Sequence, residues 1–241
     1  MHPMKIKNSY FLKGATRAEH WPPPEAPEVA FVGRSNVGKS SLLNVLVQRH
    51  KLVKVSNTPG RTREINFFVS NVQPAGEESP RDVVMVDLPG YGYARVPGDM
   101  RREWGPMIES YLRERVNLCA VVMLLDVRRD PEAEEQMLLD FFQASMRPVI
   151  IVTTKCDKLS RTKVLQRQRV IAQPLGCDVR RLVSFSSLSK DGFDTLWSRI
   201  VAHLPPLEAP PRVIDAADRD DAPITVTAPV TAPEDQGGHT P

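Results

Sequence analysis

No stretch of this chain approaches the roughly 20 consecutive apolar residues that a helix needs to cross a bilayer, so a membrane-spanning helix is not expected. The first residues, MHPMKIKNSYFLKG, carry charge without a long apolar core and are neither Ser-rich nor amphipathic, which argues against a secretory or transit signal. A cytoplasmic location follows as an expectation. Cysteine is scarce: Cys119, Cys156 and Cys177 lie far apart, with no metal-ligand spacing. Their odd number suits a reducing compartment better than a disulfide scaffold. Aromatics are only 6%, and there is no RGG run, zinc knuckle, RNP pattern, helix-turn-helix or internal repeat. Those absences remove the common sequence-recognisable nucleic-acid modules.

Length and balance point to one globular domain: 241 residues, 41% hydrophobic and 25% charged. The net charge of +3 is unevenly spread. Residues 207–241 hold two arginines against seven acidic residues, which leaves +8 on residues 1–206. Such a surface suits a polyanion such as RNA, or is simply solvated.

Composition also marks the boundaries. Residues 1–22 read as a lead-in that packs on or near the main domain, which spans 23–206. WPPPEAPE at 21–28 is too proline-rich for a helix. The 207–241 tail, with six prolines and many acidic residues, lacks the apolar surface to offset its ordering entropy and is expected to be disordered. In between, strand-like runs alternate with amphipathic patterns. The strands are VAFV (29–32), INFFVSNV (65–72), VVMVD (83–87), LCAVVMLLD (118–126), PVIIVTT (148–154) and RRLVSFS (180–186). Helical patterns fit 40–48, 100–116, 132–142, 161–173 and 191–204, with Gly105-Pro106 marking a kink or a turn before the second helix. This alternation predicts an α/β fold, a mostly parallel six-stranded sheet with helices on both faces. Ligands of such sheets bind beyond the carboxyl ends of the strands.

The motifs fall at those ends. Gly33-Arg34-Ser35-Asn36-Val37-Gly38-Lys39-Ser40 is a complete G-x-x-x-x-G-K-[ST] between a strand and a helix, followed by Ser41. Its glycines let successive N–H groups face phosphates, Lys39 reaches the β- and γ-phosphates, and Ser40 can bind Mg²⁺. The helix amino terminus favours the anion. Asp87 ends the apolar run VVMVD and opens Asp87-Leu88-Pro89-Gly90. Its carboxylate suits the Mg²⁺ shell through water, and Gly90 N–H suits the γ-phosphate. The glycine-rich 91–98 stretch reads as a switch segment or an ordinary flexible loop. In SNTPGRTREINFF, a threonine hydroxyl can complete the Mg²⁺ shell. Thr62 and Thr58 are both candidates, with Thr62 preferred. Pro59, Gly60 and Arg61 belong to the same nucleotide-facing loop.

Thr154-Lys155-Cys156-Asp157 follows the strand PVIIV. A carboxylate at Asp157 accepts hydrogen bonds from guanine N1–H and N2–H₂, whereas adenine offers an acceptor at N1. The stem of Lys155 can cover the base. Thr154 stands where stricter guanine motifs have Asn, which places the N7 contact in doubt. Phe185, Ser186 and Ser187 follow the last strand-like run, where backbone N–H groups of the serines can approach guanine O6. Tyr91 occupies the place after the D-x-x-G glycine where Ras-like proteins carry a water-orienting Gln. Slow intrinsic turnover is expected, with Lys39, Asn36, Thr62 and Gly90 nearest the chemistry. Asn36 either helps bind a catalytic K⁺ or only shapes the loop.

Taken together, GRSNVGKSSLLN, PGRTREINFF, DLPGYGYA, TKCDKLS and FSSLSKDG resemble the EngB (YihA/YsxC) family of bacterial ribosome-biogenesis GTPases, within the TRAFAC class. The resemblance runs from about Tyr10 to Leu204. It implies a Ras-like P-loop GTPase domain and GTP/GDP as ligands. By the same resemblance, Thr at position 154 is ordinary for these relatives. It further implies action on the large ribosomal subunit or its precursor, through rRNA and ribosomal proteins; a monomer is expected. The competing expectation is a GTP-regulated binding module for a non-ribosomal protein, such as a cell-division factor.

Overall fold

The computed structural model describes residues 4–49, 52–53, 64–74, 76–91 and 105–207. Among the described residues, seven strands form one sheet in the order β1-β3-β4-β2-β5-β6-β7. They are β1 (Lys5–Ala15), β2 (Glu28–Gly33), β3 (Ile65–Gln73), β4 (Arg81–Asp87), β5 (Leu118–Asp126), β6 (Val149–Thr154) and β7 (Val183–Ser184). The helices are α1 (Lys39–Leu46), α2 (Gly105–Glu114), α3 (Ala133–Ala144), α4 (Arg161–Ala172) and α5 (Phe193–Val201). Strands β4, β2, β5, β6 and β7 run parallel, while β3 is antiparallel to both β4 and β1. The α/β class is as read from the sequence.

Alternation along β2 shows why this sheet is covered twice. Ala30 and Val32 join a core with Tyr111 and Leu112 of α2, Leu138, Leu139 and Phe142 of α3, and Ile171 of α4. Val29 and Phe31 face the opposite core, built from Leu42, Leu43 and Leu46 of α1 and Leu196, Trp197 and Ile200 of α5. Every residue of β2 is buried, the pattern of a central parallel strand.

Three differences from the sequence reading have physical reasons. The sheet has seven strands rather than six, because residues 5–15 of the lead-in form β1 on the outer side of β3. Register shifts between Ile6 and Asn8 and between Phe11 and Lys13 break its period of two, so the segment does not read as a strand. The strand expected at 180–186 contracts to Val183–Ser184, preceded by a short turn of helix at Val179–Arg181. Gly105 and Pro106 open α2, where a missing N–H costs no helical hydrogen bond. Residues 100–104 of the expected helix lie outside the described residues.

The amino ends of the strands carry a closed polar network. Glu28, wholly buried, accepts from Arg115 Nε (2.9 Å), Arg115 Nη2 (2.6 Å) and Tyr111 Oη (2.7 Å). Arg115 Nη2 also donates to Pro22 O at 2.7 Å, and Trp21 packs edge-on against Tyr111 at 5.3 Å. Burial, then the Glu28 charge, push the Tyr111 phenol well above its ordinary pKa. The proline-rich 21–28 segment is thereby pinned to α2. The chain divides after Pro206, and residues 208–241 of the expected tail lie outside the described residues.

Candidate nucleotide-binding site

The phosphate loop closes on special backbone conformations. Gly38 (φ 105°) caps α1 and Asn36 (φ 64°) is also left-handed, so the loop curls between β2 and the helix. Gly33 is required for packing: a Cβ there would stand 2.8 Å from Val37 Cγ1 and 3.1 Å from Leu124 O. Lys39 and Ser40 begin α1, so Ser40 and Ser41 lie in its first turn. The Lys39 ammonium is paired with the Asp87 carboxylate at the end of β4. The Ser40 hydroxyl and the Asp87 carboxylate are hard-oxygen donors, the chemistry that suits Mg²⁺.

The Asp87–Gly90 segment is tied to this loop by backbone bonds. Leu88 N donates to Phe31 O (3.1 Å), Tyr91 N to Gly33 O (3.3 Å) and Ser35 N to Tyr91 O (2.9 Å). Leu88 is buried and Gly90 exposed, with Ser35 Oγ 3.2 Å from where a Gly90 Cβ would sit. Tyr91 is fully buried, and its hydroxyl donates to Glu135 Oε1 at 3.2 Å. Burial, then the Glu135 charge, raise its pKa well above normal. A phenol so placed is a structural anchor, not a group that orients attacking water. Pro59, Gly60, Arg61, Thr62 and Thr58 lie outside the described residues, as does the 92–98 part of the expected switch.

At the other side of the loop, Thr154 and Lys155 clamp it to β6. Thr154 Oγ1 lies 2.7 Å from Val37 O and 3.1 Å from Leu125 O, and Thr154 is 2% exposed. Its hydroxyl is therefore spent on the loop. Lys155, left-handed at φ 59°, sends Nζ to Asn36 O (2.6 Å) and to Asp126 Oδ2 (2.9 Å). Asp126 also takes Arg128 Nε (2.9 Å) and Nη2 (2.7 Å). Burial alone would raise the Asp126 pKa, but the hydrogen bonds from Arg128 and Lys155 prevail and hold it far below the usual carboxylate range. A cleft of about 300 Å³ opens here, lined by Arg34, Asn36, Asp126, Arg128 and Lys155 among others.

Asp157 is oriented by Ser186, whose hydroxyl donates to Oδ1 at 2.8 Å. That bond is the chief cause holding the Asp157 carboxyl below its ordinary pKa. Ser186 Oγ in turn accepts from Leu188 N (3.2 Å) and Ser189 N (3.1 Å). The Ser186 N–H, expected near guanine O6, is instead committed to Asp191 O at 3.1 Å. Cys156 N donates to Phe185 O (3.2 Å), and Phe185 itself is fully buried. This serine loop depends on Gly192 (φ 85°), where a Cβ would stand 2.0 Å from Ser184 O.

Sequence reasoning missed Asp126, Arg128, Glu132, Glu135 and Gly192. The signal for Asp126 was present: it ends the apolar run LCAVVMLLD just as Asp87 ends VVMVD. Nothing in the sequence announces that Glu132, at the amino cap of α3, holds Arg34 at 2.5 Å, or that Glu135 accepts the Tyr91 hydroxyl.

Comparison with known proteins agrees with this geometry. Residues 28–155 match the protein family described as 50S ribosome-binding GTPase. The probable GTP-binding protein EngB of Geotalea daltonii is 50% identical over 203 residues, which cover 84% of this chain and 93% of that protein. Among solved structures, a variant of Aquifex aeolicus Era bound to GDP·AlF₄⁻ aligns with TM-score 0.60 and 25% identity. That alignment covers 76% of this chain and 58% of the Era chain, so this chain spans less than two thirds of that protein. A probable GTP-binding protein EngB aligns with TM-score 0.54 over 73% of this chain and 97% of its own, and at 21% identity it speaks to the fold alone.

Proposed function

The chain belongs to the EngB family of P-loop GTPases, and from that premise we propose that it is a slow GTP-driven switch in assembly of the large ribosomal subunit. GTP hydrolysis is the activity of this fold and family, and P-loop GTPases generally depend on Mg²⁺. The ribosomal assignment is supported by one observation above others, the match of 28–155 to a family described as binding the 50S particle.

In this reading Asp157, held ionised and aimed by Ser186, accepts N1–H and N2–H₂ of guanine. Lys155 lies along the base plane while Ser187 N–H approaches O6. The Gly33–Ser41 backbone cradles the phosphates. Ser40 and Asp87 would hold Mg²⁺, with Thr62 as the γ-phosphate sensor, and the ion would neutralise developing charge. Lys39 leaves Asp87 for the β- and γ-phosphates when nucleotide binds. Gly90 N–H faces the γ-phosphate, and Asn36 contributes an oxygen for K⁺. Residues 5–15 of the 1–22 lead-in join the sheet of the proposed 23–206 GTP-binding domain as its edge strand, and 207–241 is proposed as an appended tail.

Water attacks the γ-phosphorus in line, and the bond to the bridging oxygen breaks. With Tyr91 locked in the core, the residue directly after Gly90 does not orient that water, and we infer slow turnover until a partner or ion assists. Co-sedimentation with purified large subunits at near-physiological salt tests the proposal. Pelleting with a non-hydrolysable GTP analogue but not with GDP is the expected result. Equal pelleting in both states, abolished by modest salt, would reduce it to charge attraction. Pelleting with a division protein and not with subunits would favour the protein-binding alternative.

A further inference from the structure

Strand β1 has a surface that nucleotide chemistry does not use. It lies at the edge of the sheet, and its sequence, KIKNSYFLKGA, holds three lysines and no carboxylate. Lys5, Lys7 and Asn8 are exposed, and next to them Tyr10, Phe11 and Leu12 are 47%, 49% and 40% exposed. The register runs unbroken from Asn8 to Phe11, so Asn8 and Tyr10 share one face of this edge strand and Phe11 the other, while the shift between Phe11 and Lys13 accommodates Leu12. Arg49, just beyond α1, reaches across to donate from Nη2 to Asn8 Oδ1 at 2.6 Å. Cations from two elements are thus gathered along the edge strand, with Tyr10 on the face that carries Asn8 and Phe11 half-exposed on the other. The strand is anchored beneath them, because Ser9 Oγ donates to Val47 O (3.1 Å) and stands 3.1 Å from Ser70 Oγ. Phe11 rests on Phe68 with ring centres 5.4 Å apart.

We propose that β1, together with Arg49, is a docking surface for single-stranded RNA segments. This deepens the ribosomal reading and rests on it for the source of the RNA. Lysines on an edge strand guard against edge-to-edge pairing. That role does not call for three consecutive exposed large apolar residues, which work against it. Lysines that follow the backbone, with aromatic rings for bases to stack on, form the usual platform for a single strand. A peptide added to the edge would draw on backbone hydrogen bonds and apolar pockets, with no need of cations. Near the basic end, Lys5 pairs with Gln73, whose side chain donates to the carbonyls of Glu77 and Glu78; the Glu77 carboxylate is held by Arg81 at 2.7 Å, and Glu78 is exposed. Glu64 stands beside Gly14 and Glu19 pairs with Arg17 at the far end, and Asp82 on β4 is tied to Asn71 Nδ2 at 2.7 Å. The +8 carried by residues 1–206 agrees with a polyanionic partner.

The test uses the full-length chain with a GTP analogue, titrating a labelled mixed-sequence RNA oligonucleotide at several salt concentrations. One variant combines Lys5→Gln, Lys7→Gln and Arg49→Gln; a second is Tyr10→Leu, which keeps apolar bulk and removes the ring. The triple variant should flatten the slope of log affinity against log salt by about 2, at roughly 0.7 per phosphate contact on a single strand. Tyr10→Leu should bind about 10-fold more weakly for want of stacking. Both should retain native GDP affinity. Native RNA binding by either variant would overturn the proposal, and native binding by Tyr10→Leu would mark the patch as an apolar seat for protein. Large-subunit pelleting of the unmodified chain separates the two readings. Pelleting together with RNA-competent variants would defeat the β1 surface alone. RNA-deficient variants without pelleting would defeat the ribosomal role alone.

Discussion

The two ends of this sheet use the same kinds of residue for opposite purposes. At the amino ends, Glu28 and Arg115 are 0% and 7% exposed and saturate each other with Tyr111 and Pro22 O. At the carboxyl ends, Asp87, Asp126 and Asp157 meet Lys39, Lys155 and Ser186 beside a cleft and an exposed loop. A closed pair keeps its partners for the life of the fold. The open pairs lie where they can be exchanged, and in the proposed reading Lys39 trades Asp87 for a phosphate. Function in this architecture lies where pairing is provisional.

Substitutions at the closed end should affect stability most. Arg115→Ala leaves a buried carboxylate unpaired, and a loss of about 3–5 kcal/mol is expected in urea unfolding. Preference for GDP over ADP should be unchanged in whatever fraction folds. A change in preference would mean the two ends are coupled. Gly192→Ala, at the open end, should cost about 3 kcal/mol, since the new Cβ meets Ser184 O in a left-handed backbone. It should also weaken GDP binding by displacing Ser186, which a simple stability defect would not do.

Asp157→Ala should lose about 100-fold in guanine preference, equivalent to roughly 3 kcal/mol for two charge-assisted hydrogen bonds, with little change in unfolding. The pH response follows from the lowered pKa of Asp157. Its stabilising and base-binding charge is complete above the ordinary carboxylate range and is lost only as pH falls through its lower folded value. GDP affinity measured between pH 7 and pH 5 should therefore show no titration from this group. The smallest effect concerns Asn36: replacing K⁺ by Na⁺ should slow turnover a few-fold if its side chain helps hold the ion, and equal rates would leave it a loop-shaping residue.

How much of this could be read beforehand follows the same division. The motifs of the open end, Gly33–Ser40 and Thr154–Asp157, stand out in the sequence because phosphate and base chemistry demand particular residues at fixed spacing, and the structure brings them together through the bonds of Thr154 and Lys155 to the loop. The closed end was not legible. Glu28 sits in the proline-rich run 21–28, and its partner Arg115 lies 87 residues away, so only tertiary packing joins them. Strand β1 was hidden by its irregular register, and Gly192 looked like any loop glycine until Ser184 O was found against it. Tyr91 was read as a poor substitute for a water-orienting Gln, and the structure commits its hydroxyl elsewhere. It donates to Glu135 in the core.

Measuring the relative affinities of GDP and XDP for Asp157→Asn would decide whether the open end reads guanine as described. Xanthine carries a carbonyl where guanine has its 2-amino group, so an amide at position 157 should donate to it and repel guanine. Reversal of preference toward XDP, with unfolding unchanged, would establish Asp157 as the base-reading group. Retained preference for GDP would place guanine recognition elsewhere in the chain.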